Sequence, residues 1–502
     1  MANQFGSENE TRVTLEADRT GIVEEPPFRM LVLGDWSGDG EKKAASARRP
    51  IEIDRDNFDE VMQKLGVKAD ISVGEGDTLT LEFNELDDFH PDNIFRSLDI
   101  FSKLRGLRKD LNNDDSFYRA AREVRGLFDV GDEPQPTETA KEEAPPADNL
   151  LDAILGQPSG GAPKPKPKTS SDLSNLVSDL VRPHLVSVDE NEKSGMIAAI
   201  DAATSSLMLG ILRDEKFKKL EAAWRGLYFL VRRTETSTDL KVYILDTAKS
   251  ELSDNLKDTS DLAQTDFYRH LVKNGLETGK DEAYSVVLGN YDFNANIDDI
   301  ASLMRISKIA AAANAPFISH INPSIFAIDS FDSKPEYRDW NIAPESDRAK
   351  LWGALRGQPE SVYLGMAAPR FLSRLPYGQE TEPAETFSFE EIGEDFSHED
   401  YLWANPCFVV GNLLANSYSN YGWAMGNSLM QDIEGLPVHV FEKGGETIFK
   451  PCAEILMTEA GCDRLMNFGF MPLASFKNTD RVKLTRFQSI TDPVRALKAM
   501  WS

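Results

Sequence analysis

The stretch FKKLEAAWRGLYFLVRRTETSTDLKVYILD, residues 217–246, carries two hydrophobic periods in succession. Phe217, Leu220, Trp224 and Leu227 recur at spacings of three and four, which lines them along one face of a helix. A polar turn follows, and LKVYILD then reads as a strand with alternating faces. Nothing in the helix arranges an acid, a base or a nucleophile. Its aromatic residues therefore read as structural core, and in a protein that builds an assembly a rigid core is part of the function.

Working outward, YSVVLGNYDF (284–293) reads as a second strand. After it, Asp298 is placed to cap a helix carrying Ile300, Leu303, Met304 and Ile306, and APFISH follows as a third strand. Strands alternating with helices imply an α/β fold, a sheet with helices on its faces. Toward the N-terminus, Arg12, Val13, Thr14, Leu15, Glu16 and Ala17 alternate as a strand, and FRMLVLGDWSG (28–38) reads as a buried strand ending in a glycine turn. Pro91 opens a helix whose apolar positions are Ile94, Leu98, Phe101 and Leu104.

Composition divides the chain into a compact zone at 1–130, a Pro-rich linker at 131–171, a large zone at 172–480 and a short basic tail at 481–502. The linker holds GDEPQPTETAKEEAPPADN and GQPSGGAPKPKPKTSS, which offer nothing to bury and predict disorder. One island, NLLDAILG (149–156), sets Leu150, Leu151, Ile154 and Leu155 at helical spacing, the pattern of a helix that docks in a partner's groove.

The formal charge of −28 argues against nucleic acid as a partner, because phosphate binding draws its affinity from Lys and Arg. No Lys or Arg occurs between Arg374 and Lys443, whereas RVKLTRFQSITDPVRALKAMWS at the C-terminus carries five against one acid. Fields separated in this way are suited to meeting across an interface between copies or partners. Cys407, Cys452 and Cys462 match no zinc spacing and cannot all pair, which fits a reducing compartment. The N-terminus lacks a signal-peptide pattern and no apolar run is long enough to insert in a bilayer, so the expectation is a cytoplasmic protein.

Searches for chemistry end in rejection. MLVLGDWSGDGEKKAAS has a strand, glycines and lysines, but not the GxxxxGK[ST] spacing a phosphate loop requires, and its aspartates would repel the anion. His398 stands beside Glu399 and Asp400 without any metal-ligand spacing, and His90 before Pro91 reads as a helix-entry residue. The expectation is no enzyme, no cofactor and no metal.

The signature around 217–252, continued in VVLGNYDF, AAAANAPFIS, RFLSRLPYG, FSFEE, YLWAN, EGLPVHVF and FGFMPLASFKNTD, resembles the large contractile-sheath subunit of type VI secretion systems, the TssC (VipB) family. FRMLVLGDWSG and LDDFHPDNIFRSLDIFSKL resemble the small subunit, TssB (VipA). The chain thus looks like a fusion of the two, with the Pro-rich zone as tether. The resemblance implies an interlocked wedge of mixed sheets flanked by helices, self-assembling into rings or a helical sheath around an inner tube protein on a baseplate. It also implies that residues 12–17 form a strand linking one wedge to the next, and that Leu150, Leu151, Ile154 and Leu155 anchor a helix gripped by a ClpV-type AAA+ unfoldase. Large subunits of that family continue well beyond the KNTD motif (477–480), whereas this chain stops at Ser502. That difference keeps two roles open: a sheath subunit, or a cap, terminator or baseplate-proximal adaptor that co-assembles with a full-length pair.

Overall fold

The computed structural model of the chain describes residues 25–73, 77–126, 192–277, 283–393 and 396–502. A nine-stranded sheet organises them. Its strands in chain order are β1 (Phe28–Gly34), β2 (Ile51–Glu52), β3 (Leu240–Asp246), β4 (Val286–Phe293), β5 (Phe317–Ile321), β6 (Leu364–Ala368), β7 (Asp432–Ile433), β8 (Phe470–Ser475) and β9 (Val482–Leu484). In space they follow the order β7-β9-β8-β6-β5-β4-β1-β3-β2. The run from β8 to β3 is parallel, and β9, β7 and β2 add antiparallel edges.

The position of β1 determines the architecture. It comes from the N-terminal zone yet lies inside the sheet, with Phe28 to Gly34 in register with Leu240 to Asp246 on one side and Met30 to Leu33 with Val286 to Gly289 on the other. FRMLVLG suits that place because a central parallel strand is covered on both faces and needs a near-continuous apolar run. Phe28, Met30 and Val32 enter one core while Leu31 and Leu33 enter the other.

The helices used below are α1 (Phe58–Leu65), α2 (Pro91–Ser97), α3 (Asp99–Asn112), α4 (Glu192–Arg213), α5 (Glu215–Arg232), α6 (Ile297–Ala313) and α7 (Cys407–Tyr421). α4 and α5 are separated at Asp214, whose carboxylate accepts from the amides of Lys216 (2.9 Å) and Phe217 (3.1 Å). The helix opened by Pro91 is two helices rather than one, because Leu98 takes an extended backbone (φ −88°, ψ 131°) between α2 and α3. α6 is capped by Asn296, whose side-chain oxygen accepts from the Asp299 amide at 2.8 Å, and Asp298 lies in its first turn.

Two readings of composition change at this level. By length and apolarity α4 passes as a bilayer-crossing helix, but half of it is buried inside the fold, where Ala203, Leu207, Met208 and Ile211 join the same core as α3. The segment 481–502 has the basic residues of a tail, yet it contributes β9 and buries Phe487, Ile490, Leu497 and Trp501. Apolar residues set between the cations hold it against the sheet.

Candidate assembly site

The helix that opened the sequence reading, α5, lies where the N-terminal and C-terminal zones meet. Phe217, Leu220, Trp224 and Leu227 are all buried. Their partners come largely from the N-terminal zone. The Trp224 ring makes edge contacts with Trp36 and with Phe58 of α1, each at 5.5 Å between centroids, and its Nε1 donates to the Trp36 carbonyl at 2.9 Å. Two turns earlier, Phe217 packs edge-on against Phe83 (5.9 Å) and Phe89 (5.7 Å), which stack on each other at 4.0 Å.

Glu221 sits inside this apolar stripe and is fully buried. Its carboxylate accepts from Arg374 Nε (2.7 Å), Arg374 Nη2 (3.1 Å) and Arg225 Nε (2.7 Å). Arg374 also donates to both oxygens of buried Glu391 (2.7 and 3.0 Å), and Arg225 donates to the Tyr377 hydroxyl at 2.8 Å. Burial alone would raise the Glu221 pKa, but the two guanidinium groups outweigh it and hold the carboxyl below its ordinary value. Such a network fixes one geometry because every member is partnered.

Other ionic clamps cross the same boundary. The Asp92 carboxylate accepts from the amides of Glu385 (2.9 Å) and Thr386 (3.0 Å) and from the Thr386 hydroxyl. Arg48 grips Glu251 through two bonds of 2.6 and 2.9 Å. In the glycine turn after β1, Asp246 Oδ1 accepts from the amides of Trp36 (2.8 Å) and Ser37 (3.3 Å), while Oδ2 accepts from the Ser37 hydroxyl at 2.7 Å. These turn amides are satisfied by a resident carboxylate, so they are not free to cradle a phosphate.

The comparisons with known proteins follow the same division. Residues 194–491 match the family described as EvpB/VC_A0108, tail sheath N-terminal domain. The chain belongs to this tail-sheath family. Residues 11–125 match the family described as type VI secretion system, VipA, VC_A0107 or Hcp2. Among curated relatives, the type VI secretion system sheath protein TssC1 of Pseudomonas aeruginosa is 34% identical over 305 residues, covering 59% of this chain and 61% of that protein. The sheath protein TssB1 of the same organism is 37% identical over 95 residues, 17% of this chain and 55% of that protein. The chain therefore joins a TssB-like zone and a TssC-like zone in one polypeptide, and its matches span 61% and 55% of the lengths of these two relatives.

Within this sheath chain the remaining expected sites fall as follows. Arg12, Val13, Thr14, Leu15, Glu16 and Ala17 lie outside the described residues, as do Leu150, Leu151, Ile154 and Leu155. The first described residue after the former is Glu25, and the carbonyl of Pro26 accepts from Trp423 Nε1 at 2.7 Å. His90 caps α2, its Nδ1 accepting from the Asp92 amide at 3.2 Å. His398 stacks on Trp403 (4.7 Å) with its Nε2 3.2 Å from Glu454 and its Nδ1 3.0 Å from the Lys450 ammonium. Both ring nitrogens thus have protein partners, and among the described residues no group of three or more acidic, His or Cys side chains is arranged to hold a metal. A separate two-stranded ribbon, His439–Lys443 paired with Glu446–Lys450, leaves the outer edge of each strand without a neighbouring strand among the described residues, and Val440 on it is exposed.

The ionic network was missed in the sequence. Its signal was Glu221 itself, a charged residue between Phe217 and Trp224 on a stripe otherwise apolar. Arg374 and Glu391 lie in RFLSRLPYG and FSFEE, where nothing local shows which acid an arginine will meet.

Proposed function

We propose that this chain is a structural subunit of a type VI contractile sheath, carrying both sheath modules, that polymerises around an inner tube on a baseplate in the cytoplasm and contracts to drive protein translocation. The observation that carries this reading is β1. A strand from the TssB-like zone lies inside the sheet, paired on both sides by strands of the TssC-like zone, so the two modules act as one building block. In that block residues 12–17 add as a strand to a neighbour's sheet, with main-chain hydrogen bonds supplying affinity. The open edges of the ribbon 439–450 are of the kind such a strand needs. Leu150, Leu151, Ile154 and Leu155 form the helix a ClpV-type unfoldase grips.

Electron microscopy of the purified chain, with and without residues 8–18, tests the proposal. Tubes or stacked rings from the full chain and a folded, non-assembling deletion are expected. Assembly unchanged by the deletion would remove the linking strand. Short or end-decorated tubes, formed only when a full-length sheath pair is co-expressed, would make the chain a cap or adaptor instead.

A further inference from the structure

The ribbon of His439–Lys443 and Glu446–Lys450 is fastened to the rest of the fold at both of its ends. At its first residue, His439 Nδ1 lies 2.8 Å from the Tyr401 hydroxyl, and the ring stacks on Phe441. At its last residue, the Lys450 ammonium donates to Asp332 Oδ1 (3.0 Å) and to His398 Nδ1 (3.0 Å), and it stands over the rings of Tyr401 (5.5 Å) and Trp403 (5.7 Å). The His398 side chain is 7% exposed and that of Lys450 12%, so solvent ions screen their contact little. An ammonium has protons to give and no lone pair. Its bond to His398 therefore requires a bare Nδ1, which leaves the ring neutral with its one proton on Nε2, 3.2 Å from Glu454 Oε1. A second proton, placed on Nδ1, would point at the Lys450 charge; the other acceptor in reach is Asp332 Oδ1, 3.6 Å away. The remaining charges around the ring are engaged elsewhere. Glu454 accepts from Arg370 (2.6 and 2.9 Å), which also lies 3.4 Å from Glu399, and Asp400 lies 3.4 Å from Arg213.

We infer that His398 and Lys450 form a proton-operated latch on the ribbon, closed while His398 is neutral and opened when its ring takes a second proton. The physical reason is linkage. An ammonium 3.0 Å from Nδ1 disfavours the imidazolium, so the ring binds its second proton more tightly once Lys450 has moved away. Protons then favour the form with Lys450 displaced by the same factor. Burial would lower the His398 pKa, but hydrogen bonds to Asp332 and Glu454 outweigh it and raise it above the ordinary 6.5, which sets the latch to respond near neutral pH. At the other end of the ribbon burial lowers the His439 pKa, so that ring stays neutral through the same range. A raised pKa also means that the proton stabilises the fold as a whole, so loosening confined to the ribbon is the signature of the latch. Nothing in it depends on assembly into a sheath.

Hydrogen exchange of the full chain, followed by mass spectrometry at about pH 6 and about pH 8 and corrected for the chemical exchange rate, tests the latch. Ribbon amides are expected to exchange about tenfold faster at the lower pH, the change that loss of one charge-assisted hydrogen bond brings, while peptides of β4 and β5 keep their protection. His398→Gln retains an amide donor for Glu454 and takes no second proton, so its ribbon should exchange alike at both pH values. Lys450→Met removes the ammonium, and its ribbon should exchange fast at both. A ribbon in the unaltered chain that exchanges alike at the two pH values overturns the inference, as does a pH difference that survives in either variant or a Lys450→Met ribbon that stays protected. A difference shared by β4 and β5 overturns it too, because that reports loosening of the whole fold. Should His398→Gln fail to fold, Lys450→Met and the unaltered chain decide.

Discussion

Replacing Trp224 by alanine removes the side chain that α5 lodges between Trp36 and Phe58. The ring is completely buried, so truncation leaves a cavity that the flanking rings, themselves held by β1 and α1, cannot readily fill. Large-to-small changes of this kind cost about 3 to 5 kcal/mol. The Trp36 carbonyl also loses the Nε1 donor at 2.9 Å, and an orphaned buried acceptor accounts for about 1 to 3 kcal/mol of such a loss. Against a typical stability of about 5 to 15 kcal/mol, that is enough to put the fold near its threshold. Trp224→Phe keeps a ring in contact with both neighbours and loses the donor, so its cost should stay near the hydrogen-bond share. Urea unfolding followed by far-UV circular dichroism measures both. A Trp224→Ala variant within about 0.5 kcal/mol of the unaltered chain would refute the packing argument, because that is the range of an uninvolved surface position. Equal losses for Phe and Ala would assign the energy to the hydrogen bond and not to the rings.

Arg374→Met leaves Glu221 and Glu391 buried without their shared cation and should cost about 3 to 5 kcal/mol in urea unfolding, with much of the loss recovered when both acids are also changed to Gln. A loss below about 1 kcal/mol would mean that water reaches the network. Acid should destabilise the fold: the Arg48 hydrogen bond draws the Glu251 pKa down to about 2, and Glu454, which burial would raise, is brought by Arg370 to about 2. Both sit below the ordinary 4.5, so their contribution is complete above pH 4.5 and is lost as pH falls toward 2; a melting temperature unchanged from pH 7 to pH 3 would contradict this. Residues 172–502 expressed alone should be insoluble, since the sheet then lacks the strand between β3 and β4, and co-expression with residues 1–130 should restore a soluble complex. A soluble, monodisperse 172–502 fragment would show β1 to be dispensable.

Strands β1, β3, β4 and β5 were legible because their residues are branched or aromatic over short runs between turn signals. Their order was not legible. Nothing in FRMLVLG says that it will pair with LKVYILD, more than 200 residues on, because parallel pairing is decided by the covering of both faces in three dimensions and not by local period. The P-loop reading of the following turn failed on spacing, but the sequence could not show that Asp246 would take the turn amides. The helix break at Leu98 was hidden for a similar reason. Leu98 continues the apolar period of Ile94 and Phe101, and only the backbone shows that this side chain packs from an extended residue. The basic character of 481–502 drew attention from its Phe, Ile, Leu and Trp, which decide its place.

The seam at α5 holds the two sequence zones together. Inside the seam, α5 locks both zones through fully buried rings and paired ions, where breaking a single partner costs about 3 to 5 kcal/mol. Exposed ion pairs such as Lys219–Glu215 contribute about 1 kcal/mol at most. Covalent connection adds to this locking. Lys193, at the start of α4, is bonded to Asp114 at 2.7 Å and to the Asn112 carbonyl at 3.0 Å, so the end of α3 and the start of α4 lie close together. Covalent connection of the two modules makes their docking intramolecular, which favours it over exchange with another copy's module. The aromatic investment in α5 therefore makes two sequence zones behave as one unit.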